Sequence, residues 1–294
     1  EVRFDSPTVY RLPLGAASWS LIEQGGSLEL VEPLRVPVLD GAVRVDRLVV
    51  DRSDPDAPAI DLDAVIEPLD LAALTRNLGL PEFGGTLSGR IPGVRLDGGA
   101  LRVDGGLDLE LFSGEARIRG LSVERPFGTL PALSASVEFE RLDLAPLTSA
   151  FEFGAMQGEL QGHVRGLRLL DWQPVAFDAW FHAPSDTPLP RRISQRAVDQ
   201  IASVGGGGAA ALSAPLLGLF DEFAYREIGL GCRLAANVCA MRGLDEVDGG
   251  GYRIVAGRGI PRLDVVGFRR QVDWPVLLRQ LRAATRGEGV TVGD

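Results

Sequence analysis

The chain has 294 residues and a formal net charge of −10, from 40 acidic and 30 basic residues. Proteins that bind nucleic acid carry a basic surface, so this acidic balance argues against a nucleic-acid partner. All of the basic residues are arginine, which excludes chemistry that needs lysine, such as a P-loop or a Schiff base.

The sequence carries neither a secretory signal nor a run of about 18 apolar residues, the length that spans a bilayer as a helix. It begins at Glu1 rather than at a methionine. We therefore expect either a mature form or a piece of a longer protein.

An internal repeat with a period of 73 residues runs through the first part of the chain. The segment "GGTLSGRIPGVRL" (84–96) aligns with "QGELQGHVRGLRL" (157–169). Without any gap, 20 of the 56 positions in 41–96 are identical to those in 114–169. Agreement at this level indicates a duplicated structural unit.

The repeat predicts the domain organisation. One copy is expected near 25–97 and a second near 98–170, with a partial third copy that continues to about residue 183. Together they form a predicted repetitive β domain over 1–189. From Pro190 onward helical spacing replaces the alternation, so 190–294 is predicted as a second region of helices and strands.

Apolar and polar residues alternate within each repeat, which predicts β-strands with one apolar and one wet face. In "LRVDGGLDLEL" (101–111), for example, leucine and valine alternate with arginine and acidic residues. Each copy is predicted to hold four or five antiparallel strands. The apolar positions expected to share one face are Leu28, Leu30, Val43, Val45, Ile60, Leu62, Leu87, Ile91, Leu101, Val103, Leu107, Leu109, Leu111, Leu133, Val137, Phe139, Leu160, Val164, Val175, Phe177 and Phe181.

One segment of the repeat is helical instead. In "LDLAALTRNL", Asp70 is placed to cap a short helix, and Leu71, Leu74 and Leu78 fall on one helical side. The prediction for the whole first region is a mainly β fold, an elongated antiparallel sheet with one continuous apolar face. Such a face must be covered by a second sheet, a partner or apolar ligands.

Beyond the repeats the pattern predicts helices and further strands. Residues 193–204 have helical spacing with Ser194 as the cap, and an apolar stripe over 212–223 predicts a second helix. Strands are predicted over 250–257 and 261–268. Asp273 is predicted to cap a final amphipathic helix. The helices are expected to pack as a lid over the end of the sheet, and the alternative is that they lie on a membrane or a partner surface.

Four consecutive glycines, Gly205 to Gly208, follow the first of these helices. A phosphate-binding loop would follow a strand and end in a lysine, and this chain has no lysine. We therefore predict a flexible elbow between two helices.

The two cysteines, Cys232 and Cys239, lie in two short apolar runs around a turn. If Leu234–Asn237 forms a four-residue loop, the cysteines face each other at a site that suits a disulfide. A two-residue loop would place the cysteines at a site that suits a disulfide less well. The alternative to a disulfide is a pair of buried free thiols. A disulfide would indicate an oxidising compartment.

No catalytic set is predicted. The two histidines, His163 and His182, lie in predicted strands without the spacing of a metal site. The acidic segment 51–63 has a non-acidic counterpart in the second copy, which favours a solvated turn over a calcium site. We therefore expect no enzyme activity, no metal and no cofactor.

These motifs resemble the C-terminal region of bacterial AsmA-like envelope proteins, and within them the YdbH group, related to TamB. The resemblance rests on LDLxxLT and G-x-L-x-G-x-[IV]-x-G-[LV] in the repeats and on "RRISQRAVDQIASVGGGGAA", "GLGCRL…VCAMRG", "GYRIVAGRGIPRLDVVGF" and "VDWPVLLRQL" beyond them. It covers nearly the whole chain from about residue 25, and the C-terminal motifs are its most specific part.

The resemblance implies a long, taco-like β-groove that crosses the periplasm from an inner-membrane anchor and shields phospholipid acyl chains between the two membranes. The expected partners are phospholipid, both membranes through the full-length protein, and an outer-membrane protein or small lipoprotein as a candidate. The resemblance supplies no catalytic residue. The alternative is a TamB-like scaffold for outer-membrane protein assembly, which would pair with partner strands at a sheet edge.

Overall fold

The computed structural model describes residues 2–4, 8–9, 12–53, 59–78, 84–97, 100–125, 129–205 and 220–285. The protein is mainly β, with a large antiparallel sheet of many strands. The predicted mainly β class is therefore confirmed.

The elements are numbered in chain order over the described residues. The strands are β1 (Val2–Phe4), β2 (Thr8–Val9), β3 (Leu12–Pro13), β4 (Ala17–Trp19), β5 (Leu21–Gln24), β6 (Ser27–Leu30), β7 (Leu34–Val38), β8 (Gly41–Asp51), β9 (Ala59–Asp70), β10 (Gly85–Asp97), β11 (Ala100–Leu111), β12 (Gly114–Glu124), β13 (Ala132–Asp143), β14 (Met156–Gln157), β15 (Glu159–Leu170), β16 (Gln173–Ala183), β17 (Arg192–Ser194), β18 (Glu222–Ala235), β19 (Val238–Gly243), β20 (Asp245–Val247), β21 (Gly251–Gly257), β22 (Val265–Gly267) and β23 (Gln271–Asp273). The helices are α1 (Leu71–Leu78), α2 (Leu144–Ala150), α3 (Gln195–Gly205) and α4 (Trp274–Thr285).

The chain forms two compact units. Unit 1 comprises Glu1–Val137 with Gly166–Pro174, and unit 2 comprises Glu138–Arg165 with Val175–Asp294. The domain boundary predicted at residue 190 marks the place where the sequence pattern changes, whereas the two units are defined by their compactness. The boundary at residue 190 stays a prediction.

The centre of unit 1 is an antiparallel meander in which β8, β9, β10, β11 and β12 pair with their neighbours in chain order. β6 and β7 both pair with β8. Register shifts interrupt each pairing of the meander, and such β-bulges bend and twist a strand locally.

Unit 1 has a small buried core. Its cluster contains three buried side chains, Leu34, Val45 and Ala64. The apolar side chains packed around this cluster are only partly buried: Ala17, Trp19, Leu30, Val36, Val43, Leu48 and Leu62. These partly buried side chains therefore keep a minor part of their surface in contact with solvent.

Unit 2 is organised around β18, which pairs with β16, β17, β19 and β21. Its helices pack against these strands and form a much larger core. The buried side chains of this core are Leu144, Met156, Ala183, Ile193, Ala197, Val198, Ile201, Ala202, Val204, Phe223, Tyr225, Ile228, Cys239, Met241, Tyr252, Ile254, Val255, Leu263, Val265, Val272 and Leu277.

The helix caps lie where the sequence predicts them. The Asp70 carboxylate accepts a hydrogen bond from the Ala73 amide at 2.8 Å, and Asp273 accepts one from the Val276 amide at 3.2 Å. The Ser194 hydroxyl accepts the Ala197 amide at 3.3 Å. Each acceptor satisfies a backbone N–H that the first turn of a helix leaves unpaired. The three predicted caps are confirmed.

The predicted helix over 212–223 is wrong at its end. Phe223 is buried in β18 and pairs with Ile193 of β17, so it is a strand residue. Residues 206–219 lie outside the described part of the chain, and the predicted elbow at Gly206–Gly208 lies there too. Among short apolar runs, helical spacing alone does not exclude a buried strand.

Gly205 itself has a packing role. It ends α3, and a side-chain carbon at this position would lie 2.8 Å from the Ile254 Cδ1 atom. Its carbonyl oxygen accepts hydrogen bonds from the amides of Phe268 and Arg269 at 3.1 and 3.2 Å. A larger residue at 205 would therefore disturb the core of unit 2.

Candidate functional site

The candidate site is the apolar face of the meander in unit 1. Neighbouring strands place apolar positions opposite one another, so that each row crosses several strands. The rows over β8, β9 and β10 are Val50–Ile60, Leu48–Leu62–Val94, Val45–Ala64–Ile91 and Val43–Ile66–Gly89. Because residues on one face of a sheet alternate along each strand, these rows form one continuous apolar surface.

The surface continues on β11 and β12. Leu107 lies opposite Gly89 on one side and Ile118 on the other, and Leu109 lies between Leu87 and Ala116. Those predicted positions that lie on β8 to β12 and pair across these strands, such as Val43, Leu62, Ile91, Leu107 and Leu109, are thus opposed on neighbouring strands.

The side chains of this face are neither buried in a core nor fully exposed. Among the predicted face residues, Val45 is 8% exposed, and the side chains of Leu101 and Val103 lie outside the described ones. Every other predicted residue, from Leu28 to Phe181, is partly buried. The exposed part of these side chains is costly in water: full burial of a fully exposed apolar side chain gains roughly 1.5–3 kcal/mol, and a partly buried one would gain the fraction that its exposed area represents.

The opposite face of the same strands is polar and holds ion pairs. Arg47 contacts Asp61 at 2.8 Å, and Arg119 contacts Asp108 at 2.9 Å. Arg35 contacts Glu67 at 2.7 Å, and the hydrogen bond from Arg35 lowers the pKa of the Glu67 carboxyl. This face is therefore stable in water without any cover.

In unit 2, some of the predicted face residues pack against other side chains. Leu160 packs against the core of this unit. The Phe177 ring meets the Trp274 ring of α4 edge to face, with centroids 5.3 Å apart, and Phe139 and Phe181 lie 6.0 Å apart. These aromatic contacts cover apolar side chains within unit 2.

A polar depression of about 250 Å³ lies in unit 2 and brings both histidines together. Its lining includes Glu138, Glu140, Gln161, His163 and His182. Gln161 Nε2 lies 3.4 Å from His182 Nδ1. Burial and the neighbouring Arg165 guanidinium lower the pKa of His163. In the described part of the chain, no group of three or more His, Cys, Asp or Glu side chains could hold a metal ion.

Trp180 borders this depression and covers two glycines of β18. Its ring lies 2.9 Å and 2.8 Å from the places that side-chain carbons would take at Gly229 and Gly231. The Arg242 guanidinium lies 5.6 Å from the ring centre and donates to Asp178 Oδ1 at 2.6 Å. The histidines thus sit beside a packed structural cluster.

Cys232 and Cys239 are joined by a disulfide, with their Cα atoms 5.5 Å apart. The predicted four-residue loop is wrong, because Ala235 pairs with Val238 and only Ala236 and Asn237 form the turn. Both turn residues have positive φ, 49° and 62°, which is the geometry of a two-residue hairpin turn. The bridge therefore runs diagonally rather than between directly opposed residues.

The sequence prediction missed part of the apolar face. Leu48 and Val50 lie on this face together with Val43 and Val45, although the first two stand at even-numbered positions and the last two at odd-numbered ones. The register shift between Val45 and Arg47 restores them to the same side. The apolar run "LVV" directly after "VRVDR" is the signal that could have indicated this bulge.

The described residues contain no helix that is long and apolar enough to cross a membrane. Comparison of the chain with protein-family models, with curated proteins and with solved structures finds no match.

Proposed function

We propose that this chain is part of an intermembrane phospholipid transport protein that shields lipid acyl chains in the periplasm. The observation that carries the proposal is the continuous, half-buried apolar face of unit 1. A soluble protein rarely keeps a large apolar surface in water unless the surface binds something. Acyl chains match it, because they are apolar and adapt to an uneven surface.

The dimensions of the face support the proposal. The strands β8 to β12 have 11 to 13 residues each. At about 3.3 Å per residue they extend over roughly 36–43 Å. One leaflet of a bilayer has a hydrocarbon layer of about 15 Å. An acyl chain can therefore lie along or across these strands with its whole length covered on one side.

We further propose that the sheet is an elongated groove built from repeats of about 73 residues. The element bounds support the repeat: β8 is Gly41–Asp51 and β12 is Gly114–Glu124, and both have 11 residues. In the same way β9 and β13 have 12 residues each, and α1 and α2 follow them directly. All of these pairs begin 73 residues apart.

The proposal assigns no catalytic role to the chain. The face over β8 to β12 consists of aliphatic side chains, which neither titrate nor act as nucleophiles. Binding on such a face depends on the hydrophobic effect, which is non-directional and tolerates different acyl chains.

The compartment is part of the proposal. The Cys232–Cys239 disulfide is a type of bond that persists in an oxidising environment and is rare in the reducing cytosol. In a Gram-negative envelope the periplasm is that environment, and it is also the space that lipid must cross between two membranes.

The test is native mass spectrometry of the purified chain, with lipid extraction as a second readout. We expect co-purified phospholipid with the wild type and clear loss of it with Leu109→Asp, because a charge would then lie on the face. Ser134→Asp is the matched control, since Ser134 is exposed, and it is expected to retain lipid. Lipid-free wild-type protein, even after incubation with phospholipid, would contradict the proposal.

A further inference from the structure

Two neighbouring turns of unit 1 expose a group of large apolar side chains. Leu130 precedes β13, Leu170 is the last residue of β15, and Trp172 lies in the turn between β15 and β16. Their exposed fractions are 54%, 39% and 54%. We call Leu130, Leu170 and Trp172 the turn patch.

A hydrogen bond joins the two turns. The Asp171 amide donates to the Pro131 carbonyl oxygen at 2.9 Å. Leu130 and Trp172 are the chain neighbours of these two residues, and Leu170 is the other neighbour of Asp171. The hydrogen bond therefore places the backbone of all three residues of the turn patch in one region of unit 1.

The backbone of the turn patch has positive φ at three residues: Leu130, Asp171 and Trp172 have φ values of 58°, 49° and 60°. A two-residue hairpin turn of type I′ requires positive φ at both of its residues, and the turn at Ala236 and Asn237 has the same geometry. The turn therefore determines where Trp172 lies, at the end of the hairpin formed by β15 and β16.

The first copy of the repeat supplies an internal comparison. Seventy-three residues before Asp171 and Trp172 the sequence has Gly98 and Gly99, which suit a turn with positive φ without strain. The positions that correspond to Leu130 and Leu170 are Ala57 and Asp97. The second copy thus carries large apolar residues where the first has small or polar ones.

We propose that the turn patch is a contact site for the surface of a phospholipid bilayer. Trp172 lies in the two-residue turn between β15 and β16, and about half of it is exposed, so its ring can reach a flat surface. Tryptophan favours the bilayer interface because its ring is apolar and its N–H remains near water. Leu130 and Leu170 add apolar area beside it.

The same two segments carry exposed charges of both signs, Arg125 and Arg168 beside Glu124 and Asp171. Of these, the arginines can pair with lipid phosphate groups in two-point geometry. A protein partner would instead need a concave pocket for a projecting tryptophan. This inference rests on the proposed function only in that lipid uptake requires contact with a bilayer.

The test is sedimentation of the full chain with vesicles of phosphatidylethanolamine and phosphatidylglycerol. The test variant carries Asp171→Gly and Trp172→Gly, which restores the turn of the first copy and relieves the positive-φ strain. Because glycine fits this turn, the variant is expected to fold. We expect its vesicle partition coefficient to fall at least about tenfold, since the largest apolar side chain of the turn patch, and the one that favours the bilayer interface, is removed.

Ile260→Ser is the control, because Ile260 is fully exposed in unit 2 and lies outside the turn patch. It is expected to leave vesicle binding unchanged. Bromine-labelled lipids should quench fluorescence in the wild type and less so in the glycine variant. The proposal is overturned if the wild type does not bind vesicles, or if the glycine variant binds as well as the wild type.

A second readout separates this proposal from the proposed function. Loading of the apolar face is measured with phospholipid supplied in detergent micelles, where no bilayer is present. The glycine variant is expected to load lipid from micelles as the wild type does. If the wild type loads lipid from micelles but does not bind vesicles, the proposed bilayer contact at the turn patch is rejected and the proposed lipid-binding face is retained. If the wild type binds vesicles but loads no lipid from micelles, the lipid-binding face is rejected and the bilayer contact is retained.

Discussion

Unit 1 and unit 2 use the same kind of antiparallel strand but cover it differently. In unit 2, α3 lies on the sheet and buries Val198, Ile201 and Val204 together with Ile254 of β21. In unit 1 the buried cluster contains only Leu34, Val45 and Ala64, and the neighbouring apolar residues stay partly exposed.

The difference shows what a helix does for a sheet of this type. An amphipathic helix turns one apolar sheet face into a closed core. In unit 1 the short helix α1 contacts β9 and β10, and its residues Leu71 and Thr75 are buried. The row Leu48–Leu62–Val94 stays only partly buried, and we infer that this part of the face is the one that an apolar ligand would cover. The predictions below test whether the two units differ in this way.

The largest effect is expected from cavity formation in unit 2. Ile254 is fully buried, so Ile254→Ala should destabilise this unit by about 2–5 kcal/mol. Leu107 of unit 1 is only partly buried, and Leu107→Ala should cost about 1 kcal/mol, in proportion to its smaller buried area. Denaturant unfolding of both variants measures the contrast. Equal losses would show that the face of unit 1 is a closed core.

The disulfide is expected to have the next largest effect, again in unit 2. Cys232 and Cys239 are seven residues apart, and closing a loop of this size in the unfolded chain stabilises by about 2–3 kcal/mol in the entropic account. Unfolding with and without a reductant measures it.

A double Cys232→Ala and Cys239→Ala variant is the control for reduction, since it should unfold identically in both conditions. The disulfide assignment fails if the wild type also unfolds identically with and without reductant.

A third prediction concerns alkaline pH. Burial raises the pKa of Tyr252 to about 12 and also raises the pKa of Tyr225, whereas an unfolded tyrosine titrates near 10. The contribution of these two tyrosines to the free energy of unfolding is therefore fully present below about pH 10. It falls as the pH rises from about 10 to 12, by at most about 1.4 kcal/mol per pH unit for each tyrosine.

Phenolate absorbance and denaturant unfolding at about pH 9 and 11 measure this effect. The Tyr252→Phe variant should lose stability less steeply over the same range. An unchanged slope in that variant would show that Tyr252 titrates normally in the folded protein.

The smallest effect is expected on the polar face of unit 1. Arg47 and Asp61 form an ion pair at 2.8 Å with about half of each side chain exposed. Arg47→Gln should change the free energy of unfolding by no more than about 0.5 kcal/mol, because water screens such pairs. A loss above about 2 kcal/mol, on the order of a core substitution, would mean that this face is covered instead of the apolar one.

Much of the fold could be predicted because local patterns determine it. The alternation of Leu107, Leu109 and Leu111 with polar residues indicates β11, and Asp70 and Asp273 mark helix starts. These signals depend on residues that are close in sequence. The partly buried state of the predicted face residues could not be derived, since it depends on which helices cover which strands.

Other features depended on backbone geometry that has no simple sequence signal. The Cys232–Cys239 register follows from positive φ at Ala236 and Asn237, and alanine rarely adopts that conformation. The position of Leu48 on the apolar face follows from a bulge. His163 and His182 meet at one depression because their strands are neighbours, although they are distant in sequence.

The central claim is that the open face of unit 1 binds acyl chains. The most direct measurement is photo-crosslinking, with a photoreactive amino acid placed at Leu62, at Leu107 and, as the control on the other face, at Ser134. The protein is irradiated with bound phospholipid and the adducts are identified by mass spectrometry. The account predicts lipid adducts at Leu62 and Leu107 and none at Ser134. Adducts at all three positions, or at none, would contradict it.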